Sequence, residues 1–280
     1  MTSSTDIPQS SISNLQSKIP IAVVGAGGRM GRTILRCLYD GAVPELTLAG
    51  AVDLWDHEHL NKEIMPGVPL QSDLQKVVDQ ADVVIDFSSH FGTAGNAERL
   101  AEWKKAWVIG TTGLSKEEQA AVEAAAQVIP VVQAPNMSLG VNLLFTLLED
   151  AARALKDKGY DVEIVERHHR LKKDAPSGTA LGLGKAVARG LDWNLDEVSV
   201  HGREGIAKDI RPDKQIGFHA IRGGDFVGDH TVIFAATGES LELSHRATSR
   251  DTFAVGALRA AAWVAGKEPG LYSMKDVLGL

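Results

Sequence analysis

The sequence predicts an α/β protein in two parts: a parallel sheet covered by helices, then an α+β half built on a mixed sheet. Short apolar runs alternate with helical patterns as far as Val132, the rhythm of a parallel sheet with helices on both faces. After Pro135-Asn136 one long apolar helix gives way to a succession of strand-like runs with a single clear helix among them, which calls for a second sheet. The length, 280 residues, suits one large domain or two of moderate size.

Taken in order, Ile21–Val24 is a short apolar run bounded by glycine, as a buried parallel strand requires. A glycine-rich turn follows, and Arg32–Tyr39 carries apolar residues at helical spacing. Leu46–Asp53 reads as a second strand ending on an acid, and Val83–Ser88 as a third. Thr93–Lys105 is helical, Trp107–Gly110 is a fourth strand, Ser115–Ala126 a helix and Val128–Val132 a fifth strand. In the second half Leu139–Leu155 is the long helix. Strand-like runs span 161–167, 198–203, 217–222, 230–236 and 240–247, with a helix over 179–191. Gly223-Gly224-Asp225 and Thr237-Gly238-Glu239 read as hairpin turns. Phe253–Gly266 returns to helical periodicity and is expected to pack back on the first part.

Composition removes several classes of function. A net charge of -7 argues against nucleic acid or an anionic membrane as a bulk partner. No stretch approaches the ~18 apolar residues of a membrane span. The single cysteine, Cys37, excludes an intrachain disulfide, and its apolar helical neighbours predict a buried thiol. No Cys/His cluster has zinc spacing, so no metal is expected. Residues 1–19 are rich in Ser, Thr, Gln and Asn, contain no Arg, and lack the pattern of a secretory signal. They are expected to be a disordered tail, and the protein to be cytoplasmic.

The turn Gly25-Ala26-Gly27-Gly28-Arg29-Met30-Gly31 lies between a strand and a helix. That arrangement lets backbone approach a dinucleotide pyrophosphate and offers it free N–H donors at the helix start. It makes the first part Rossmann-like. The pattern is GxGGxxG, with Met30 where the plain motif has its third glycine. Asp53, at the end of the second strand, can bind adenosine ribose hydroxyls. It is followed by Leu54 rather than Arg, so nothing adjacent neutralises a 2′-phosphate. This favours NADH over NADPH, although His57 is close enough in sequence to soften the repulsion. Gly110-Thr111-Thr112-Gly113 and Ala134-Pro135-Asn136-Met137 follow the fourth and fifth strands, at the ends where such sheets bind ligands. Turn chemistry alone would also account for them.

The densest chemistry lies in Glu166-Arg167-His168-His169-Arg170-Leu171-Lys172-Lys173-Asp174-Ala175-Pro176-Ser177-Gly178-Thr179. Five of the six residues from His168 to Lys173 are basic or can become so, within an acidic chain. Ser177-Gly178-Thr179 opens a helix whose N–H groups favour an anion. Proton-carrying side chains, a fixed cation and an anion nest together suit a small, multiply negative substrate. His168 and Lys172 are the candidates to supply a proton. Adjacent strand residues point to opposite faces, so either the strand ends by His168 or one of His168 and His169 is structural.

These motifs together, with the late Ser249-Arg250, resemble the 4-hydroxy-tetrahydrodipicolinate reductase (dihydrodipicolinate reductase) family of bacterial and plant lysine biosynthesis, over the whole chain after the tail. The resemblance implies a dinucleotide-binding domain over 20–137 plus 252–280. It implies a substrate-binding and oligomerisation domain over 138–251, and a homotetramer joined through the second sheets. It further implies NAD(P)H-dependent reduction of a small cyclic dicarboxylate with loss of water. By that resemblance His168 handles the catalytic proton and Lys172 donates it, while His169, Ser177, Gly178, Thr179 and Arg250 bind substrate. Gly25 to Met30, Asp53, Gly110 to Thr112 and Ala134 to Met137 contact the cofactor. Leu54 departs from relatives that carry Arg after the acid and use NADPH well.

Cofactor motifs precede residue 138 and the proton-bearing cluster follows it, so the hydride is expected to pass between domains. Hinges are expected near Asn136–Ser138 and Arg250–Thr252. Two other readings remain open at this stage: an aspartate- or homoserine-type dehydrogenase of the same plan, which has no need of the His-His-Arg-x-Lys string, and an NADH-binding redox sensor, which leaves that string without purpose.

Overall fold

The computed structural model describes residues 18–280. The proposed tail falls on residues 1–17 outside that span, and at its far end on Ile19, which already belongs to the first strand. The strands are β1 (Ile19–Val24), β2 (Leu46–Val52), β3 (Glu63–Met65), β4 (Val68–Gln71), β5 (Val83–Asp86), β6 (Ala106–Ile109), β7 (Pro130–Gln133), β8 (Asp161–His168), β9 (Ser199–His201), β10 (Ile216–Arg222), β11 (Gly228–Ala236), β12 (Glu239–Ala247) and β13 (Gly270–Tyr272). They form two sheets, of order β13-β7-β6-β5-β1-β2-β4-β3 and β12-β11-β8-β10-β9.

The first sheet is parallel except for β3, which runs antiparallel to β4. Its central strands are buried on both faces: Val83, Val84, Ile85, Trp107, Val108 and Ile109 have no exposure. Hence they read as continuous apolar runs without alternation. Helices Arg29–Tyr39 and Asp251–Val264 pack together against one face, where Ile34, Leu35, Leu258 and Ala261 join one core cluster. Helices Thr93–Glu102 and Lys116–Ala126 cover the other, around Leu100, Val122 and Trp107. Cys37 is buried as expected.

The second sheet alternates instead. Along β8, Val162, Ile164, Glu166 and His168 point inward, and Asp161, Glu163, Val165 and Arg167 outward. The inward face packs on helices Leu139–Leu155 and Gly178–Leu191, with Leu148, Leu183, Val187, Phe218 and Phe234 in the core. Serines cap both helices: Ser138 Oγ accepts from Val141 N–H, and Ser177 Oγ from Ala180 N–H. Each such cap contributes about 1 kcal/mol.

Several sequence expectations need correction. Gly223-Gly224-Asp225 is not a hairpin turn. β10 and β11 are not neighbours; both flank β8, parallel and antiparallel to it respectively. The segment between them crosses the end of β8, with hydrogen bonds Gly223 N–H to His168 O, Arg170 N–H to Gly224 O and His169 N–H to Phe226 O. Thr237-Gly238 is a hairpin turn, with Ala236 opposite Glu239 and Gly238 at φ 90°. The β3–β4 pair and the edge strand β13 are too short for periodicity to reveal them. Helix Arg29–Tyr39 starts three residues earlier than the apolar pattern, because its first turn is the glycine-rich segment itself.

Candidate active site

All the ligand-facing turns of the first sheet gather at the carboxyl ends of its strands, as strand direction in a doubly wound sheet dictates. Gly25 bends the chain out of β1 at φ +76°, against the Phe87 carbonyl. Helix Arg29–Tyr39 follows with Gly28 at its N-cap and no side-chain cap, so its first N–H groups are left for a ligand. A Cβ on Gly31 would overlap the Gly25 carbonyl oxygen. The close helix-to-turn approach therefore falls at Gly31, and Met30, one residue earlier, packs its side chain on the core. Asp53 is bound to the turn: its Oδ2 accepts from Gly27 N–H at 2.8 Å and its Oδ1 from Leu54 N–H at 2.8 Å. A bare glycine cradle, an open helix start and a fixed carboxylate fit a dinucleotide. Arg29 and Leu54 are exposed, and the His57 ring lies over Gly27.

Beyond β5 and β6, Asp86 is fully buried and holds three segments together. It accepts from Ser88 N–H and Oγ–H, from Asn96 Nδ2 at 2.9 Å and from Thr111 Oγ1 at 3.4 Å. Gly110 is glycine because the Phe87 ring occupies the place of its side chain. Ala134 and Met137 face the core, whereas Thr112, Pro135 and Asn136 face open space.

That space is a cavity of about 500 Å³ between the two halves. Thr112, Pro135 and Asn136 line it from the first sheet's side, and His168, Lys172, Ser177, Gly178 and Thr179 from the second. Asn136 Nδ2 donates to Thr179 Oγ1 at 3.1 Å across the gap. Lys172 Nζ sits 2.9 Å from Asp174 Oδ2, so its nearest charge is opposite in sign. Lys185, Arg189 and Lys275 extend the positive lining.

Under the cavity floor lies Glu166, with its side chain 1% exposed. Its Oε2 receives His168 Nδ1 at 2.6 Å, its Oε1 the Ser177 N–H at 3.0 Å, and the pair of oxygens Arg222 Nη1 and Nη2 at 2.8 and 2.7 Å. Burial pushes the carboxyl up, but the hydrogen bonds from His168, Arg222 and Ser177 outweigh it and hold it at about 2. The His230 ring meets His168 edge-on at 5.1 Å and its Nε2 lies 3.1 Å from Ser177 Oγ. Burial, and then the neighbouring His168, pull His230 down to about 3, so it is neutral at ordinary pH.

Not every expected residue joins the cavity. β8 ends at His168, the first of the two alternatives for the His pair. Even so, His169 is half-buried beside the crossing segment and does not line the cavity, and its Nδ1 has no partner. Arg250 is exposed at the start of helix Asp251–Val264, also outside it. Gly25 to Met30 and Asp53 form the separate cradle described above. Phe145, Gly182, Lys185, Arg189 and Lys275 line the cavity without any sequence signal. Arg222 was hidden because only the β8–β10 pairing brings it near. Among the described residues no group of three or more His, Cys, Asp or Glu could hold a metal, and no helix is long and apolar enough to cross a membrane.

Comparison with known proteins gives this geometry a family. Residues 19–137 match the family model described as Dihydrodipicolinate reductase, N-terminus, and residues 140–278 its C-terminus counterpart. The chain belongs to the dihydrodipicolinate reductase family. A 4-hydroxy-tetrahydrodipicolinate reductase of Syntrophus aciditrophicus (strain SB) is 50% identical over 264 residues, 92% of this chain and 97% of the relative. One from Aquifex aeolicus (strain VF5) is 51% identical over 271 residues, 94% and 99% of the two chains. In three dimensions the dipicolinate-bound dihydrodipicolinate reductase from Paenisporosarcina sp. TG-14 superposes with a TM-score of 0.75 at 24% identity, covering 91% of this chain and 97% of that one; this likeness speaks to the fold. As a member of this reductase family, the chain is a nicotinamide-dependent oxidoreductase.

Proposed function

We propose that the chain reduces 4-hydroxy-tetrahydrodipicolinate to tetrahydrodipicolinate with loss of water, in the route to diaminopimelate and lysine. The observation that carries this reading is the shared cavity, with the ends of β6 and β7 on one wall and the His168–Thr179 segment on the other. The cofactor supplies a hydride. Everything else falls to this chain. The backbone N–H groups of Gly178 and Thr179 and the Thr179 hydroxyl hold one substrate carboxylate, while Ser177, whose N–H goes to Glu166 and whose hydroxyl caps the helix, fixes the helix start that presents them. Lys172, Lys185 and Lys275 add positive charge facing a dianion. The ring hydroxyl leaves with an adjacent ring hydrogen as water, giving a conjugated ring; hydride arrival then leaves negative charge on its distal atoms, and Lys172 or His168 delivers the balancing proton, a contribution of about 10²–10⁴-fold. His169 and Arg250 join the substrate only if the halves move.

NADH is the favoured cofactor, since Asp53 is followed by exposed Leu54 rather than a guanidinium. Residues 20–137 with 252–280 bind it, and 138–251 bind substrate. The outward face of the second sheet, with Val165, Ile221 and Ile233 among a Glu163-centred set of ion pairs, is proposed to join four copies.

The decisive test is coupled turnover with the preceding synthase, pyruvate and aspartate semialdehyde, following NADH and NADPH loss in parallel. Synthase-dependent oxidation supports the reading. Cofactor binding without oxidation overturns it.

A further inference from the structure

We propose that Glu166 is a positioning residue for this reduction: one buried carboxylate fixes the tautomer and the angle of His168 and ties that ring to the substrate-holding helix start at Ser177. The inference rests on the reading of His168 as a proton-handling group. Glu166 and His168 are two apart on β8, so the backbone itself puts the carboxylate beside the ring.

A carboxylate can only accept, so the 2.6 Å contact requires the proton on His168 Nδ1. In the neutral ring Nε2 is then the free position. That edge passes over Gly228, where a Cβ would stand 3.0 Å from Nε2; glycine leaves it open. The other oxygen accepts from Ser177 N–H at the N-cap of helix Gly178–Leu191. The proton-bearing ring and the anion-holding N–H groups are thus in register through one side chain. Arg222 grips both oxygens and reaches on to the Asp174 carbonyl at 2.5 Å, so the carboxylate cannot turn without breaking four contacts.

The charged or titratable groups facing this assembly are His168 on the same strand, Arg222 on β10, His230 on β11, and Lys172 and Asp174 on the following loop. A simple structural ion pair would need only Arg222. Here the remaining acceptor capacity is directed to two groups of the active cavity.

The test is a double-mutant cycle in the full-length enzyme with substrate made by the coupled synthase. Glu166→Gln puts an amide NH₂ where a donor already points. It is expected to lower kcat about 10²-fold or more, to leave KM for cofactor unchanged, and to shift one limb of the kcat–pH profile. In a His168→Gln background the same change is expected to cost less than about 2-fold, because its effect runs through the ring. Equal losses in both backgrounds, or an unmoved pH profile, overturn the proposal. Full kcat in His168→Gln alone overturns instead the reading on which it rests. If Glu166→Gln does not fold, the cycle is run with Glu166→Asp, which keeps the charge for Arg222 but withdraws the oxygens from His168 and Ser177.

Discussion

The hydroxyls of Ser138 and Thr252 meet at 3.3 Å, although the residues lie 114 positions apart. Ser138 Oγ is also 3.3 Å from His245 Nε2, and a Cβ on Gly256 would overlap the Met137 carbonyl. The two chain segments that pass between the halves therefore run side by side, and bending at one bends both. Closure about this pair is expected to bring Arg250 toward the cavity. Small-angle scattering should show compaction on adding NADH with dipicolinate; an unchanged radius of gyration would count against hinge closure.

Lys172, half-buried and more accessible than His168, is held at the cavity rim by Asp174 and is proposed as a proton donor. Lys172→Met should reduce kcat by about 10²–10⁴-fold. A variant that retained the wild-type maximum rate would remove Lys172 from the chemistry.

Leu54→Arg places a guanidinium beside Asp53, where a 2′-phosphate would otherwise meet a carboxylate alone. The ratio of kcat/KM for NADPH over NADH should rise by about 10-fold or more, as one charge-assisted contact of ~1.5–3 kcal/mol permits. No change in the ratio would mean that the phosphate is directed elsewhere.

Gly31→Ala forces the first turn of helix Arg29–Tyr39 away from the Gly25 carbonyl. It should destabilise the fold by about 1–3 kcal/mol and raise the Kd for NADH, measured by denaturant titration and fluorescence binding. Wild-type affinity in this variant would show that the tight turn is not part of the cradle.

Acid should weaken the second sheet in two windows. His230 is depressed from 6.5 to about 3 by burial, so the unfolded chain binds its proton first and stability falls as pH drops from about 6.5. Glu163 and Glu166 are each held at about 2 against an ordinary 4.5. Both resist burial through their hydrogen bonds, Glu163 with Arg203, His219 and Arg211. Their contribution is present above about 4.5 and lost as pH falls toward 2. In urea titrations across this range, His230→Gln should show a shallower loss between pH 6.5 and 4.5; an identical slope would refute the assignment.

The parts of the fold most legible in the sequence were those set by local pattern. Central strands such as Val83–Asp86 announced themselves as unbroken apolar runs, and Leu139–Leu155 as a long apolar helix. The site was legible where chemistry is contiguous, from His168 to Thr179. It was illegible where pairing decides: Arg222 reaches Glu166 only because β10 lies parallel to β8, and Lys275 reaches the cavity from the last helix, Met274–Leu278. The misread turn at Gly223–Asp225 has the same origin, since glycine marks a bend but not the strand to which the chain returns.

That crossing sets when the enzyme can first exist. β8 becomes a central strand only after residues 216–236 have been made and laid on both its sides, and the carbonyl of His168 waits for Gly223. A nascent chain that has emerged as far as Thr179 holds every residue of the basic string, yet its His168 has neither neighbouring strand, nor Arg222, nor His230. Contacts of such sequence separation form late. The unfinished polypeptide therefore carries the basic string without its arrangement; β11 brings His230 and the second flanking strand, and the cavity is complete only once helix Asp251–Val264 and Lys275 have followed.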